Sequence, residues 1–447
     1  MEKKLSQVLA QFICKTTYET LPEEVCEKAV SCIIDYIGCI YAGTTLSIHK
    51  RLISFVKENF TSGNVPVIGS DLRVDPITAA LVNGATASNM ALDDMHKEGI
   101  YHPSVTAVTA ALAISGIKKI SGKEFITAVV LGYEISIRMA VACNPSHYKY
   151  WHTSSTVGCY CAAVVASKLL ECTEEETIYA LGLAGTQAGG SQECIGNDAQ
   201  FLHLGFAARS GVSAALLAKH GLTGSDSIID GPAGFFAAMT DFQDSIFDAF
   251  ADLEKRYFIL ENTFKLYPCC GHTFACIDGG LILREEYNIS PADIISVEVG
   301  TYQTALSNSG NPDPQNVQEA QFSIAYVVAA ALVNGCFKIR QYDDWPPSQE
   351  IAEIIKKVKL YHDQDAENCF PASRGATVTV HTKNGSFTEV RKFRKGDPEW
   401  PLTQNEIIDK FRELMAYVKT QDEISHIEKI LRNFVELEDA IKIIITA

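Results

Sequence analysis

The chain has 447 residues, which is too long for one hydrophobic core, so we expect two or three domains. Hydrophobic residues make up 47% of it and charged residues 21%, which is typical of a globular protein and argues against a fibrous or disordered chain. The formal net charge is −16 and Lys and Arg do not cluster, which argues against nucleic acids and anionic membrane surfaces as partners.

Residues 1 to about 260 have a helical pattern almost throughout, beginning with an apolar face at Leu5, Leu9 and Phe12. A second helix opens at Leu21-Pro22, with acidic residues in its first turn. Further helices rich in Ala and Gly are predicted at about 76–92, 104–116, 123–143, 154–170, 174–190, 204–220 and 245–255.

The pattern changes after Lys265, where β-branched runs predict strands at about 294–302, 357–361, 377–382 and 387–391. Asn384-Gly385 predicts a hairpin between the last two strands. Helices are predicted at about 274–287 and 318–334. A capping box at Thr403–Glu406 begins a helix to about 418, and another helix covers about 421–435.

We therefore predict a mainly α fold in which a large all-helical domain carries a smaller inserted α+β domain. The helical domain comprises residues 1–265 plus 396–447, and the smaller domain comprises 266–395. Small-molecule sites tend to lie in clefts between domains.

The 14 cysteines are irregularly spaced and form no Cys-x-x-Cys pair, so neither a zinc nor a redox site is predicted. The N-terminus begins an amphipathic pattern without an apolar signal core, and we expect a cytoplasmic protein with reduced thiols. The uncharged run 99–117 is long enough to raise the question of a membrane span. Because it contains His102, Pro103 and several hydroxyls, we predict a helix buried in protein and no transmembrane segment.

The first candidate site is the loop from Asp93-Asp94 to His102-Pro103, which places two carboxylates and an imidazole between two apolar helices. One interpretation is an acid/base site in which an aspartate orients His102. The alternative is that the aspartates and His102 only cap or bridge helices. Asp94 is also a candidate for substrate binding. A metal bound by this loop and His96 is a weaker hypothesis, because no second acidic cluster accompanies it.

Three further segments carry candidate residues. His152 and Thr153 begin a predicted helix, whose N-terminus could bind an anion, although His152 could instead pack on Trp151. Lys265 lies at the predicted domain boundary, where it could pair with a carboxylate or remain a surface lysine. The remaining candidates are Gln200, His203 and Arg209 in a Gly/Ala-rich helix, and the segment Cys269-Cys270-Gly271-His272.

The chain contains no glycine-rich phosphate loop, dinucleotide fingerprint or nucleophile elbow in a convincing context, which argues against nucleotide and hydride chemistry. The candidate segments, in their order and spacing, resemble the MmgE/PrpD family, which includes 2-methylcitrate dehydratase, cis-aconitate decarboxylase and iminodisuccinate epimerase. Other motifs carry the same resemblance: Asn83-Gly84, Leu202-His203-x-Gly205, Gly231-x-x-Gly234-Phe235-Phe236, Lys265-x-Tyr267-Pro268-x-Cys270 and Ala320-x-Phe322-Ser323.

The resemblance implies that the smaller α+β domain is a lid domain, that the protein is a homodimer, and that its active site needs neither a metal nor a nucleotide cofactor. His102, His152 and Lys265 then fall on the family's active-site residues, and Asp93 belongs to the acidic loop beside them. Two positions depart from the family pattern: Met95 replaces a common Thr or Ser, and Gln200 replaces a Lys.

The expected function is a cofactor-free lyase that acts on a small di- or tricarboxylate by proton transfer next to a carboxylate. Dehydration as in 2-methylcitrate dehydratase and decarboxylation as in cis-aconitate decarboxylase are both open. The alternatives are an isomerase like iminodisuccinate epimerase and a degenerate member that binds a carboxylate without turnover.

Overall fold

The computed structural model describes residues 3–60, 62–241, 246–342 and 345–445. The chain divides into two compact units, Met1–Thr263 with Thr403–Ala447, called the large unit, and Phe264–Leu402, called the small unit. From the sequence we predict domain boundaries after 265 and after 395.

The large unit is helical. Its α-helices are α1 (Leu5–Lys15), α2 (Glu23–Gly43), α3 (Ser47–Asn59), α4 (Pro76–Ser88), α5 (Pro103–Ser115), α6 (Gly122–Cys143), α7 (Thr153–Leu169), α8 (Glu174–Gly185), α9 (Asp198–Lys219), α10 (Phe235–Met239), α17 (Gln404–Met415), α18 (Gln421–Arg432) and α19 (Lys442–Ile445). Two short strands, β1 (Val65–Pro66) and β2 (Arg73–Val74), form an antiparallel pair. The prediction of a mainly α fold is confirmed.

Helix starts follow local side-chain chemistry. Ser121 and Glu124 form a capping box at the start of α6, and Thr403 and Glu406 form the predicted one at the start of α17. Helix α5 is buried along its whole length, and α7 is buried except near its end. Small residues let α7 and α9 approach closely, since a Cβ at Gly211 would lie 2.5 Å from the backbone nitrogen of Ala163. The candidate residues on α7 and α9 are therefore held by rigid packing.

Several predicted helix bounds are wrong. The helix predicted at 76–92 ends at Ser88, the one predicted at 174–190 ends at Gly185, and the one predicted at 204–220 begins at Asp198. The helix predicted at 245–255 is a short 3₁₀ helix, Ile246–Phe250, followed by turns, and residue 245 lies outside the described residues. The apolar pattern continues past the true helix ends because the turns there are also partly buried.

The small unit contains a four-stranded sheet in the order β4-β3-β5-β6, formed by β3 (Ile294–Thr301), β4 (Val358–His362), β5 (Ala376–Thr382) and β6 (Gly385–Arg391). The β3–β4 pair is parallel and the other pairs are antiparallel. Its helices are α11 (Phe274–Glu286), α12 (Gln303–Ser309), α13 (Val317–Ala320), α14 (Ile324–Asn334), α15 (Gln349–Ile355) and α16 (Gln364–Cys369).

The predicted hairpin between β5 and β6 is confirmed, with Lys383 and Asn384 in the turn and Gly385 at a φ of +143°. The single helix predicted at 318–334 is instead two helices, α13 and α14. Ser323 separates them because its hydroxyl caps α14 by accepting the N–H of Tyr326. Buried side chains of α11 and α14 and of the sheet share one hydrophobic core.

Among the described residues, α6 and α9 are long and apolar enough to cross a membrane by length and composition alone, and the bent pair of α2 and α3 would make a third. Within the protein, 89% of the most apolar window of α6 and 61% of that of α9 is buried. Helix α5, which contains most of the run 99–117, is shorter than these and is enclosed by neighbouring helices.

Candidate active site

The loop between α4 and α5 is an ordered structure that turns back on itself. Backbone hydrogen bonds join His96 and Tyr101 in an antiparallel bridge, and a second bridge joins Met95 to Thr263. Ile100 lies between them at a φ of +46°. These contacts fix the position of the acidic residues before the bridge and of His102 after it.

Asp93 and His102 form the first pair of the site. Nδ1 of His102 lies 2.8 Å from Oδ2 of Asp93, and the Asp93 side chain is 3% exposed. His102 occupies the N-cap position of α5, but its side chain makes no capping hydrogen bond. No described residue provides a hydrogen-bond partner for Nε2 of His102, and 23% of the His102 side chain is exposed. This ring nitrogen is therefore accessible to a ligand.

Asp94 has a different environment from its neighbour. Its Oδ1 accepts the backbone N–H of Ser104 in the first turn of α5, at 3.2 Å. Its Oδ2 accepts hydrogen bonds from Tyr133 at 2.6 Å and from Asn262 at 2.5 Å, and the side chain is fully buried. This arrangement favours a structural role for Asp94 rather than the substrate binding suggested by its position in the sequence.

A buried ion pair contacts the start of the loop that carries Asp93 and Asp94. Nζ of Lys410 on α17 donates to Oδ1 of Asp35 on α2 at 2.6 Å and to the backbone oxygen of Leu92 at 2.7 Å. Burial raises the pKa of Asp35 to about 6 despite the opposing effect of Lys410, and the charges of Asp94 and Asp93 raise it further. The pair connects helix α17 to the start of the acidic loop.

His152 and His203 form the second pair of the site. Their Nδ1 atoms lie 3.2 Å apart, so one ring donates a hydrogen bond to the other. His152 immediately precedes α7, but its side chain makes no capping hydrogen bond there. Ser154, two residues further on, accepts the backbone N–H of His102 at 3.2 Å, which places the two pairs next to each other.

His152 is uncharged at neutral pH. Burial lowers its pKa to about 3, and the nearby charges of His102 and His203 act in the same direction, while Asp93 opposes them. Burial also lowers the pKa of His203. Since His152 cannot hold a carboxylate as a cation, its contribution would be that of a neutral hydrogen-bonding group.

The loop at Gly190 supports the His152–His203 pair. The backbone N–H of His152 donates to the oxygen of Gly190 at 2.8 Å, and Trp151 bridges Ser191. Gly190 has a φ of +124°, and a Cβ there would lie 2.6 Å from Cβ of Ser155. Only a glycine fits this position without a shift of the surrounding residues.

The other residues predicted for the large unit lie at varying distances from this cluster. Thr153 is fully buried and accepts a hydrogen bond from Asn144 at 3.3 Å. Gln200 lies one turn before His203 on α9, and its Oε1 accepts the N–H of Gly196 at 2.8 Å.

Arg209 and His96 have partners outside the two pairs. The guanidinium of Arg209 stacks on Phe206, with 5.0 Å between the guanidinium carbon and the ring centroid. Nδ1 of His96 accepts the N–H of Gly99, and burial lowers the pKa of His96 to about 3. The His96 ring therefore stabilises the loop's own turn.

Lys265, Cys269, Cys270 and His272 belong to the small unit. Lys265 lies in its first residues, and its place beside the histidine pairs remains a prediction of the family resemblance. Burial holds the pKa of Cys269 well above its usual range, and its thiol lies 3.1 Å from the hydroxyl of Thr273. Such a thiol is a weak nucleophile at neutral pH.

Within the described ranges, no group of three or more His, Cys, Asp or Glu side chains is arranged to hold a metal ion. Neither the Lys410–Asp35 pair nor the hydrogen bond from the backbone N–H of His102 to Ser154 was predicted from the sequence. Asp35 could have been found, because it is a charged residue inside the apolar stretch 33–37 of α2, where a buried partner is expected. Ser154 carries no comparable signal.

Comparison with known proteins gives a consistent result. Residues 7–246 match the MmgE/PrpD N-terminal domain, and residues 267–434 match the MmgE/PrpD C-terminal domain. The cis-aconitate decarboxylase of Homo sapiens is 27% identical over 453 residues, which cover 98% of this chain and 93% of the relative. The cis-aconitate decarboxylase of Aspergillus terreus is 27% identical, covering 94% and 91%, and that of Mus musculus is 26% identical, covering 98% and 92%. With both domains matched along most of its length, the chain belongs to the MmgE/PrpD family.

Proposed function

We propose that this protein is a cofactor-free lyase that decarboxylates a small tricarboxylate or dicarboxylate of the cis-aconitate type. The observation that carries the proposal is the Asp93–His102 pair, with an accessible Nε2 atom, beside the neutral His152–His203 pair. Two histidines in such different environments can take separate roles, one as the proton donor and the other as a neutral hydrogen-bond donor to the developing charge. The curated relatives that match the whole chain are named cis-aconitate decarboxylases, which favours loss of carbon dioxide over the other family reactions.

In the proposed reaction, the bond between a carboxyl carbon and its neighbouring carbon breaks, and carbon dioxide leaves. The electron pair stays on the substrate as a carbanion conjugated with the adjacent double bond and carboxylate. His102 in its protonated form delivers a proton from Nε2 to carbon, while the Asp93 carboxylate holds the ring and balances its positive charge. Solvent then returns the proton to His102.

His152 would stabilise the negative charge that develops on the substrate by a hydrogen bond from its neutral ring. Such a donor acts in a site where little water competes for the same oxygen. We further propose Lys265 as the cation that binds a substrate carboxylate, as the family resemblance implies. Homodimerisation is proposed on the same basis and is tested by light scattering of the purified chain.

A second candidate function is epimerisation or dehydration of a dicarboxylate with less charge. Gln200 favours it, because a neutral side chain stands where relatives in the family commonly carry a lysine, and its amide oxygen is already bonded to Gly196. These reactions share the proton transfer at a carbon next to a carboxylate. A degenerate member that binds without turnover is the non-enzymatic alternative.

The test is NMR of the purified chain in D₂O with cis-aconitate, 2-methylcitrate and iminodisuccinate, each with and without EDTA. We expect carbon dioxide release from cis-aconitate and one solvent deuteron on the product carbon, with EDTA having no effect. Deuterium exchange in another acid without carbon dioxide release would favour the second candidate. If none of the acids releases carbon dioxide or gains a solvent deuteron on carbon, the proposed lyase is wrong.

A further inference from the structure

Four side chains of the small unit lie at one end of its sheet, where β3 and β6 end and β5 begins. Tyr302 follows the end of β3, and Arg374 precedes the start of β5, while the register pairs Thr301 with Ala376. Strand β6 also ends here, because Ala376 pairs with Arg391, and Arg394 lies three residues beyond it. His272 lies just before α11, which packs on β5 and β6.

Arg374 makes no hydrogen bond or ion pair with any residue that the structure describes, and its Nε atom is buried. The neighbouring Arg394 is paired, with Nη2 at 2.6 Å from Oδ1 of Asp397 and Nε at 3.1 Å from Oδ2. A Cβ placed at Gly271 would lie 3.1 Å from Nη1 of Arg394 and 4.0 Å from Nη1 of Arg374. The two guanidinium groups therefore lie side by side, and one carboxylate, that of Asp397, balances part of their combined positive charge.

Around Arg374 lie hydrogen-bonding groups, and among the described residues Asp397 is the one carboxylate that acts on its charge. Burial and the charge of Arg394 lower the pKa of Arg374, and Asp397 is the one carboxylate among the described residues whose charge opposes this. Nδ1 of His272 lies 2.5 Å from the hydroxyl of Tyr302. Burial and the two arginines lower the pKa of His272 to about 3, so its ring is neutral. Since burial also raises the pKa of Tyr302, the tyrosine keeps its proton and can donate it to His272.

An arginine whose charge is partly buried without a partner is unfavourable, and such groups are normally paired. Carboxylate matches the planar fork of a guanidinium and can accept two parallel hydrogen bonds from it. We propose that Arg374, supported by Tyr302 and His272, forms a carboxylate-binding site in the small unit. The carboxylate is either part of the substrate or a separate anion that regulates the enzyme.

The experiment measures binding of tricarballylate, a saturated tricarboxylate that cannot be decarboxylated in the same way, to the full chain by calorimetry. We expect Arg374→Gln to weaken this binding at least about tenfold, which corresponds to the loss of a charged hydrogen bond. Arg391→Gln is the matched control, since Arg391 lies close by but pairs with Glu389, and it should bind as wild type does. Inorganic phosphate is the second probe.

The thermal stability of the ligand-free variant separates binding from a structural role. Removing an unpaired charge should leave the melting temperature of Arg374→Gln unchanged or raise it. A lower melting temperature with unchanged tricarballylate affinity would overturn the proposal, as would the absence of binding to the wild type. Binding of phosphate but not of tricarballylate would overturn it as well.

Kinetics with cis-aconitate distinguish a substrate carboxylate from a separate regulatory anion. This kinetic experiment is the only part of the test that rests on the proposed function. A raised KM with an unchanged kcat for Arg374→Gln identifies a substrate carboxylate. An unchanged KM, together with loss of any effect of added tricarballylate on the rate, identifies a separate anion. Binding is measured without turnover. Arg374-dependent binding in a chain without decarboxylase activity would therefore contradict the proposed function but not the proposed carboxylate site.

Discussion

His102 occupies the N-cap position of α5, yet its side chain bonds to Asp93, with 2.8 Å between Nδ1 and Oδ2, and leaves the capping of the helix to Asp94. The two consecutive aspartates thus have separate functions. One holds an accessible imidazole, and the other completes the helix N-terminus and is enclosed by Tyr133 and Asn262.

The Asp93–His102 pair should be required for catalysis. We expect His102→Asn to lower kcat at least about a hundredfold, since general acid–base catalysis contributes that much or more. Asp93→Asn should also lower kcat strongly, because an amide can present its N–H₂ to Nδ1 and favour the other tautomer. The measurement is the initial rate of carbon dioxide release or of deuterium exchange. His220→Asn, at an exposed position at the end of α9, is the control. Wild-type rates in His102→Asn would refute the assigned role.

His203 should act by positioning His152. We expect His203→Ala to lower kcat about fivefold while KM changes little, because the loss of one neutral hydrogen bond is worth about 1 kcal/mol. His203→Asn, which keeps a hydrogen-bonding group near the position of Nδ1, should recover part of the rate. If His203→Ala and His203→Asn are equally slow, the bond to His152 is not the cause.

Gly190 offers a test of the loop that supports His152. Gly190→Ala should destabilise this loop and lower kcat, because a Cβ there meets Ser155 at 2.6 Å at a φ of +124°. Gly196→Ala is a matched control, since Gly196 also has a positive φ, +92°, but its Cβ would meet nothing within 4 Å. Melting temperature and kcat are measured for both. Equal effects of the two substitutions would mean that backbone strain alone, and not the contact with Ser155, is responsible.

The buried Lys410–Asp35 pair should be essential to stability. Lys410→Met leaves a buried carboxylate without its partner and should lower the free energy of unfolding by about 3–5 kcal/mol. The double variant Asp35→Asn/Lys410→Met removes both charges and should recover part of this loss. Urea denaturation measures the free energies of unfolding of the wild type, of the single variants Lys410→Met and Asp35→Asn, and of the double variant. A double variant as unstable as the sum of the two single variants would show that the ions do not interact.

Acid should destabilise the protein through its buried neutral histidines. The pKa of His96 is about 3 in the folded state and about 6.5 in an unfolded chain. Between these values the unfolded state binds a proton that the folded state does not, so stability falls as pH decreases from 6.5 toward 3. At pH 5 this histidine should reduce stability by about 2 kcal/mol relative to pH 8.

The variant His96→Gln checks this by calorimetry over pH 4–8. Its melting temperature should depend less on pH than that of the wild type in the acidic half of this range. The other buried histidines, including His152 and His272, should keep the remaining dependence. An identical pH dependence in both proteins would contradict the low pKa of His96.

Local signals in the sequence predicted much of the fold. The capping box at Thr403 and Glu406 and the β-branched runs of the small unit predicted their elements because these patterns act within a few residues. The helix predicted at 318–334 was divided at Ser323, because an apolar pattern does not reveal that a hydroxyl caps a new helix there. Errors of this kind arose where turns are as apolar as the helices they join.

The sequence by itself determined which residues were candidates: an acidic loop, histidines before two helices, and the family to which the chain belongs. The tertiary structure decided how they pair. Asp93 rather than Asp94 holds His102, His152 contacts His203 across two helices, and Arg374 lies beside a paired arginine without a described partner of its own. These relationships depend on where the backbone brings distant residues, and the burial that results determines which of them are charged.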